Sequence, residues 1–343
     1  MYQNIILLII GVSILYFGGE LFIRGSSRAA KLFGIRPLIV GVVIVAFATS
    51  APEFFVSVFA VINKSRNLAV GNIIGSCICN IGMVLGMAAL IRPIKVDASI
   101  LRRELPILLT ATLALFVICV DFKITRVEAV LLILAFFLFI FYCIRSAKTD
   151  DGSYLDTSTS SISKPRSFLY LGLGLLGLVV GARFMVQSSI SIAKIIGISE
   201  LVIGLSVVAI GTSLPELAAS AIASSKNQGD ISIGNVIGSN LFNMLAIIGV
   251  VALIRPVIID PKILMLSLPV LLIYTFVLLP IIKKGFKINR ITGAFFVLSY
   301  FVYLYLIFGK FLMSPTPLFR RLKFTLRSFS IVRPAATNTQ QWN

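Results

Sequence analysis

Two stretches of the chain, GVVIVAFATSAPE at 41–53 and GLSVVAIGTSLPE at 204–216, are copies of one motif. A shift of 163 residues aligns position 41 with 204 and continues without a gap to 97 on 260, with 22 identities in 57 positions. The identities include Thr, Ser, Pro, Glu and Asn, whereas chance similarity between apolar segments matches mainly Leu, Ile and Val. The sequence therefore contains an internal duplication.

The composition indicates an integral membrane protein. Of the 343 residues, 58% are hydrophobic and only 13% are charged, against about 25% charged in a soluble domain. Apolar stretches of about 20 residues, long enough to cross a bilayer, recur along the chain. We predict an all-α integral membrane fold with ten transmembrane helices, at 3–23, 37–62, 68–91, 101–120, 126–144, 167–190, 200–225, 231–253, 262–282 and 290–309.

Five predicted helices separate each motif from its copy, so the two copies must cross the membrane in opposite directions. Inverted repeats are typical of secondary transporters, whose substrate site lies near the midplane where the repeats face each other. The predicted segments are an N-terminal five-helix repeat at 1–144 with its motif at 41–97, a linker at 145–166, a C-terminal five-helix repeat at 167–309 with its motif at 204–260, and a basic tail at 310–343.

The formal charge of +18 is distributed over short loops between apolar spans. This pattern is typical of membrane topology, so we expect no nucleic-acid partner. Of the 31 Lys and Arg residues, 17 lie in odd-numbered loops, 8 in even-numbered loops and 6 in the tail. The positive-inside rule then places 145–166 in the cytoplasm and both termini outside the cell membrane, although the basic tail lies on the disfavoured side.

The chain has no histidine, which excludes a Ser-His-Asp triad and an HExxH zinc site. The predicted spans contain no pair of aspartates, so the catalytic groups of an intramembrane hydrolase are missing from them. The four cysteines lie in apolar spans and form no CxxC motif, so no disulfide framework is indicated. We expect a protein that is not an enzyme and has no cofactor.

Glu53 and Glu216 lie inside apolar spans at matching positions of the two repeats. An ionised carboxylate at the bilayer centre costs several kcal/mol unless it meets a partner. No Lys or Arg lies within either predicted helix, so a bound cation is the simplest partner. The alternative is a protonated carboxyl that hydrogen-bonds within the helix bundle.

The residues beside each glutamate add oxygen ligands. Pro52 has no N–H, so the carbonyl of Ala48 loses its helical partner, and Pro215 repeats this arrangement in the second copy. Thr49 lies one helical turn before Glu53 on the same face. An oxygen-only site of this kind suits hard cations such as Ca²⁺ and Na⁺ and disfavours soft metals.

The helix that follows each motif carries a polar stripe at spacing i, i+4, i+8. Serine and asparagine also bond helices together in membranes. For the first asparagine of each stripe both interpretations stay open, and we include it among the candidate ligands; for the others we favour an ion path. The two stripes are Asn72, Ser76 and Asn80 in the first repeat, and Asn235, Ser239 and Asn243 in the second.

The paired TSxPE and GNxxGSxxxN segments resemble the alpha-repeats of the sodium/calcium exchangers, within the Ca²⁺:cation antiporter superfamily. The resemblance implies exchange of Ca²⁺ for Na⁺ by alternating access, with the first and sixth helices as the moving part. We expect a monomer in the lipid bilayer whose partners are these two ions. The ligands implied by the resemblance are Glu53, Glu216, Thr49, Thr212, Ser50, Ser213, Ala46, Ala209, Ser76, Ser239, Asn80 and Asn243.

Two departures from the pattern stand out. Some similar members carry an aspartate where Asn243 or Asn80 stands, so only two carboxylates face this site, which matches one Ca²⁺ or two Na⁺ in charge. Cys77 occupies the position equivalent to Asn240, and we interpret it as a small packing residue. A Ca²⁺/H⁺ or K⁺-dependent antiporter on the same fold is the first alternative, and a passive cation channel is the second.

Overall fold

The computed structural model describes residues 1–32, 46–96, 98–146 and 164–313. The elements of the first repeat are α1 Tyr2–Leu32, α2 Ala46–Thr49, α3 Ala51–Ile62, α4 Arg66–Cys79, a π-helical segment Asn80–Leu85, α5 Gly86–Ile91, β1 Ile94–Lys95, α6 Ala98–Arg102, α7 Glu104–Ile118, a 3₁₀ turn Cys119–Asp121, β2 Lys123–Ile124 and α8 Arg126–Ser146.

The second repeat has a similar order of elements, with a π-helical segment at Ile263–Ser267 where the first repeat has α6, and without the 3₁₀ turn. They are α9 Lys164–Ile196, α10 Glu200–Ile203, a π-helical segment Gly204–Val208, α11 Ala209–Thr212, α12 Leu214–Ser225, α13 Gly229–Leu241, a π-helical segment Phe242–Ile247, α14 Ile248–Ile254, β3 Val257–Ile258, a π-helical segment Ile263–Ser267, α15 Leu268–Lys283, β4 Lys287–Ile288 and α16 Arg290–Met313.

The predicted all-α membrane fold is confirmed. Within the described residues, eight helices are long and apolar enough to cross a membrane, and the pair Glu200–Thr212 and Leu214–Ser225 makes a ninth if it is counted as one span. The prediction of ten spans also includes 37–62, whose first part lies outside the described residues. Most of the linker at 145–166 and of the tail at 310–343 also lies outside them.

The prediction of a continuous helix at 200–225 is wrong, because this segment breaks at Ser213 and bends there by 45°. The described part of 37–62 breaks in the same way at Ser50. In both copies a proline stands two residues after the serine, where its missing N–H and its ring are compatible only with the first turn of a new helix. The first helix is also longer than predicted and ends at Leu32.

Two short antiparallel ladders, which the sequence did not predict, connect the repeats. Strand β1 pairs with β4, placing Ile94 opposite Ile288, and β2 pairs with β3, placing Lys123 opposite Ile258. Each ladder joins a strand of one repeat to a strand of the other. Exchanging the two repeats therefore converts one ladder into the other.

The duplication extends to backbone irregularities. Lys64 and Asn227, which are 163 positions apart, both adopt the left-handed conformation, with φ of 65° and 63°. Each follows the helix that carries a glutamate and turns the chain into the helix that carries a polar stripe. The two copies thus share their turn geometry as well as their sequence.

The long helices α1 and α9 pack backbone against backbone. A Cβ atom on Gly18 would lie 2.9 Å from the carbonyl carbon of Gly177, and one on Gly181 would lie 2.7 Å from the amide nitrogen of Leu15. A Cβ on Gly19 would lie 3.5 Å from the Cγ of Pro215 and 3.8 Å from that of Pro52. The α1–α9 pair therefore lies against both helix breaks.

The helices with the polar stripes form the centre of the bundle. Within the most apolar 18 residues of each span, 83% are buried in Arg66–Ile91 and in Gly229–Ile254, against 17% in Arg126–Arg145. The polar residues of these stripes are therefore enclosed by protein, which is where a membrane protein tolerates them.

Candidate cation-binding site

The two helix breaks place the glutamates. Ser50 and Ser213 interrupt their helices with nearly identical backbone angles, φ −83° and ψ 6° for the first and φ −84° and ψ 7° for the second. Glu53 and Glu216 then fall in the first turn of the new helices. Negative charge is favoured at this end because the unpaired N–H groups of the first turn point towards it.

Each carboxylate is held by a serine of the opposite repeat. Ser50 Oγ donates to Glu216 Oε1 at 2.8 Å, and Ser213 Oγ donates to Glu53 Oε1 at 3.0 Å. Both glutamates are fully buried. The second oxygen of each carboxylate, Oε2, has no hydrogen-bond partner, and neither glutamate forms an ion pair with Lys or Arg in the described parts of the chain.

The threonines also reach across the repeat boundary. Thr49 Oγ1 lies 3.2 Å from Asn235 Oδ1, and Thr212 Oγ1 lies 3.0 Å from Asn72 Oδ1. The same hydroxyls lie 3.2 Å from the carbonyl oxygens of Ala46 and Ala209, respectively. A hydroxyl has one proton to donate but two lone pairs, so each threonine retains acceptor capacity after its hydrogen bond is made.

The serines of the stripes approach the same threonines. Ser76 Oγ lies 3.3 Å from Thr212 Oγ1, and Ser239 Oγ lies 3.5 Å from Thr49 Oγ1. Ser239 Oγ is also 3.5 Å from Glu216 Oε1. These contacts bring the stripes and the glutamate motifs of both repeats into one cluster.

In the first asparagine of each stripe, both the nitrogen and the oxygen of the side-chain amide form hydrogen bonds within the protein. Asn72 Nδ2 donates to Ser57 Oγ at 3.0 Å and to the Glu53 carbonyl at 3.4 Å. Its Oδ1 accepts from Thr212. Asn235 makes the equivalent contacts with Ser220 at 3.1 Å, the Glu216 carbonyl at 3.5 Å, and Thr49. These two amides tie the helices around each glutamate together.

The last asparagine of each stripe lies at a π-helical segment. Asn80 begins the segment Asn80–Leu85, and Asn243 lies in Phe242–Ile247. The wider turns of π-helices inside α-helices frequently occur at functional sites. Asn80 Oδ1 has no hydrogen-bond partner, and neither amide atom of Asn243 has one, although burial without a partner is costly for such groups.

All fourteen predicted site residues are buried, with relative exposures of 0–1%. The unpartnered atoms among them are Oε2 of each glutamate, Oδ1 of Asn80 and both amide atoms of Asn243. These atoms are mainly hard oxygen donors, which is the donor type that Ca²⁺ and Na⁺ require. The arrangement can therefore bind a hard cation with ligands from both repeats.

Comparison with known proteins shows the family of the chain. The sequence model described as "Sodium/calcium exchanger protein" matches residues 3–145 and 166–309. The chain belongs to the sodium/calcium exchanger family. It is therefore a cation antiporter of the calcium-transporting type, a multi-pass membrane protein and not an enzyme.

Individual relatives match between 74% and 89% of the chain. The inner membrane protein YrbG of Escherichia coli is 36% identical over 263 residues, which are 74% of this chain and 81% of YrbG. The sodium/calcium exchanger MaX1 of Methanosarcina acetivorans is 29% identical over 344 residues, covering 89% of this chain and 98% of MaX1. A structure of the sodium-calcium exchanger NCX_Mj soaked with Na⁺ and Sr²⁺ superposes with a TM-score of 0.66 at 32% identity, over 87% of this chain and 96% of NCX_Mj.

Sequence reasoning missed three polar residues of this candidate site. Ser57 and Ser220 bond the first asparagines of the stripes; they are identical in the repeat alignment and lie one helical turn after the glutamates, so the alignment contained the signal. Asn240 bonds Asn80 and the backbone of Cys77. Because the repeats differ at this position, no matching pair indicated its role.

Proposed function

We propose that the chain exchanges Ca²⁺ for Na⁺ by alternating access, at a site that contains Glu53 and Glu216. The observation that carries this proposal is the crosswise pair of buried carboxylates, each with one oxygen held by the opposite repeat and one oxygen without a partner. Two buried negative charges match one Ca²⁺ or two Na⁺. An uncompensated pair is costly to enclose at the bilayer centre, so cations are required for the site to be occluded.

The proposed ligands are those expected from the sequence, with distinct roles. The glutamates supply charge, and the hydroxyls and amide oxygens supply neutral donors. Asn72 and Asn235 act mainly by holding helices in place, because their amides are engaged within the protein. The remaining proposed ligands are Ala46, Thr49, Ser50, Ser76, Asn80, Ala209, Thr212, Ser213, Ser239 and Asn243.

The two states of the transporter differ, in this proposal, by a movement of the α1–α9 pair over the motif helices. The glycine contacts between α1 and α9, and the approach of Gly19 to Pro52 and Pro215, support a pair that moves as one body against both helix breaks. Cations that neutralise the glutamates favour the occluded form. Ion binding is thereby coupled to the change of access, because the cations bind the occluded form of the site better than the open form.

We further propose that the chain lies in the plasma or inner membrane with 145–166 in the cytoplasm and both termini outside, as the distribution of Lys and Arg favours. The repeats at 1–144 and 167–309 form the transport unit, and the tail at 310–343 lies outside it. A single chain suffices for transport, because residues from its own two repeats complete the site.

The test is Ca²⁺ uptake into reconstituted vesicles loaded with Na⁺, compared with vesicles that contain equal Na⁺ on both sides. Glu53→Gln and Glu216→Gln keep the shape of the side chain and remove its charge. Asp121→Asn is the matched control, since Asp121 lies in the 3₁₀ turn before β2 and pairs with the neighbouring Lys123.

We expect uptake only with an outward Na⁺ gradient, its loss in both site variants, and normal uptake in the control. Uptake that follows a pH gradient and ignores Na⁺ would replace Na⁺ by H⁺ as the counter-ion, and stimulation that requires K⁺ would add a second ion. Uptake that survives both site variants would contradict the proposed site, and flux without any counter-ion would indicate a channel.

A further inference from the structure

The two repeats differ at one position inside the site, where Cys77 in the first corresponds to Asn240 in the second. The chain is otherwise identical at the glutamates, prolines, threonines and serines of the motifs and at every asparagine of the stripes. Both side chains are fully buried at the contact between the repeats. The exchange of a thiol for an amide at this buried position therefore makes the two halves of the site unequal.

A directional chain of hydrogen bonds runs through Asn240. Its Nδ2 donates to the Cys77 carbonyl at 3.1 Å, and its Oδ1 accepts from Asn80 Nδ2 at 3.0 Å. A backbone carbonyl can only accept, so the Cys77 carbonyl fixes which end of the Asn240 amide faces it. Asn240 Oδ1 must then face Asn80, and Asn80 must present its nitrogen there.

The consequence is that Asn80 directs its Oδ1 away from Asn240. This oxygen is buried and has no hydrogen-bond partner, so it is oriented before any ligand arrives. A carbonyl-type oxygen held in this way is a preorganised donor for a hard cation.

The first repeat does not provide the equivalent support to Asn243. The Cys77 thiol donates to the Asn240 carbonyl at 3.9 Å and lies beside the Asn243 side chain. A thiol that donates to this carbonyl can offer the Asn243 amide only a weak acceptor, whereas an asparagine at the same position offers a strong carbonyl oxygen. Both amide atoms of Asn243 remain without a partner.

We infer that Asn240 is a positioning residue that aims the Asn80 amide oxygen at the transported cation, and that the site is unequal because Cys77 leaves Asn243 without such support. This inference rests on the proposed function. Asn80 is accordingly the stronger amide ligand, and Asn243 adjusts its orientation to whichever ion is bound.

The test exchanges the residues that the two repeats carry at these equivalent positions. Asn240→Cys removes the support of Asn80, and the double variant Cys77→Asn with Asn240→Cys moves it to Asn243. The thiol of Cys77 already reaches the carbonyl of residue 240, so an asparagine at this position is within reach of the same group. Ca²⁺ uptake into Na⁺-loaded vesicles gives the KM for Ca²⁺ and the maximal rate of each protein.

We expect Asn240→Cys to raise the KM for Ca²⁺ roughly tenfold, as the loss of one oriented hydrogen bond predicts, with the maximal rate changed less than about twofold. In the original background, Asn80→Ala should raise this KM more than Asn243→Ala does. In the double variant the order should reverse, which a purely structural role of Asn240 does not produce.

An unchanged KM in Asn240→Cys, or the same order of the two alanine variants in both backgrounds, would overturn the inference. If Asn240→Cys alone does not fold, the double variant decides, because it keeps one amide and one thiol at the contact. Uptake that needs Glu53 and Glu216 but is indifferent to residue 240 would remove only this inference. Uptake that needs neither glutamate would remove the proposed function and this inference together.

Discussion

Ser50 Oγ lies 2.8 Å from Oε1 of Glu216, so a side chain of the first repeat orients the carboxylate of the second. Ser213 and Glu53 repeat the contact in the opposite direction at 3.0 Å. A hydrogen bond to a charged group contributes about 1.5–3 kcal/mol. These two contacts therefore influence how well each carboxylate is placed for a cation.

Removal of either serine hydroxyl should weaken cation binding. We expect Ser50→Ala and Ser213→Ala each to raise the KM for Ca²⁺ roughly tenfold, because a hydrogen bond to a charged group is lost without a change in the charge of the site. Ca²⁺ uptake into Na⁺-loaded vesicles measures this effect. Ser191→Ala is the control, since the exposed Ser191 hydroxyl bonds only its own helix at Gln187. Wild-type KM values in both site variants would show that the crosswise contacts do not contribute to binding.

Substitution of Asn72 should destabilise the fold. Asn72→Ala removes the hydrogen bonds to Ser57 and to the Glu53 carbonyl, and leaving such buried groups unsatisfied costs about 1–3 kcal/mol each. We expect a clear fall in the midpoint of thermal unfolding in detergent, measured without Ca²⁺. Asn63→Ala, which affects an exposed amide at a helix end, should leave the midpoint nearly unchanged. A loss of Ca²⁺ affinity without any loss of stability would instead assign Asn72 to the ligands.

The contact between α1 and α9 should not tolerate a methyl group. In Gly18→Ala the new Cβ would lie 2.9 Å from backbone atoms of Gly177 and Leu178, which cannot move aside as a side chain can. We expect lower thermal stability and slower exchange. Gly172→Ala is the matched control in α9, because nothing lies within 4 Å of its Cβ position. If both variants behaved like the wild type, the close approach of the two helices would not be required.

Calcium should stabilise the folded protein. A ligand that binds only the native state adds about 2.7 kcal/mol at a concentration 100 times its Kd, so the thermal midpoint should rise with Ca²⁺ and return when a chelator removes it. Mg²⁺ should have a weaker effect, because it gives up its waters reluctantly and demands a tighter octahedral site. In Glu53→Gln the Ca²⁺-dependent rise should disappear. A rise of equal size in that variant would place the stabilising ion elsewhere.

Much of the site was predictable because polar residues inside apolar spans have few explanations. Glu53, Glu216 and their neighbours stood out as a pattern repeated at a fixed offset, and the structure gathers all of them in one buried cluster. The recurrent apolar spans followed from hydropathy, and the opposite orientation of the repeats followed from an odd number of intervening helices. These features depend on local sequence and on chain topology.

The remaining features depend on how two distant segments meet, which the sequence does not encode locally. Ser50 bonds Glu216 of the other repeat and not Glu53, which is three residues further along its own repeat. This choice depends on how the two repeats are aligned against each other. The sequence predicts continuous helices through Ser50 and Ser213, because proline also occurs in kinked membrane helices. Asn240 was missed because its role lies in an orientation that only its contacts with Asn80 and Cys77 define.

The crosswise contacts of Ser50 and Ser213 also constrain the ancestry of the molecule. A single five-helix unit would present its glutamate without the serine that orients it. An ancestor with one repeat could assemble this site only as two copies inserted with opposite orientations. Fusion of the two genes would then have replaced an encounter that depends on concentration by one fixed within the chain. Once the halves were joined, each was free to change separately, and positions 77 and 240 record one such divergence.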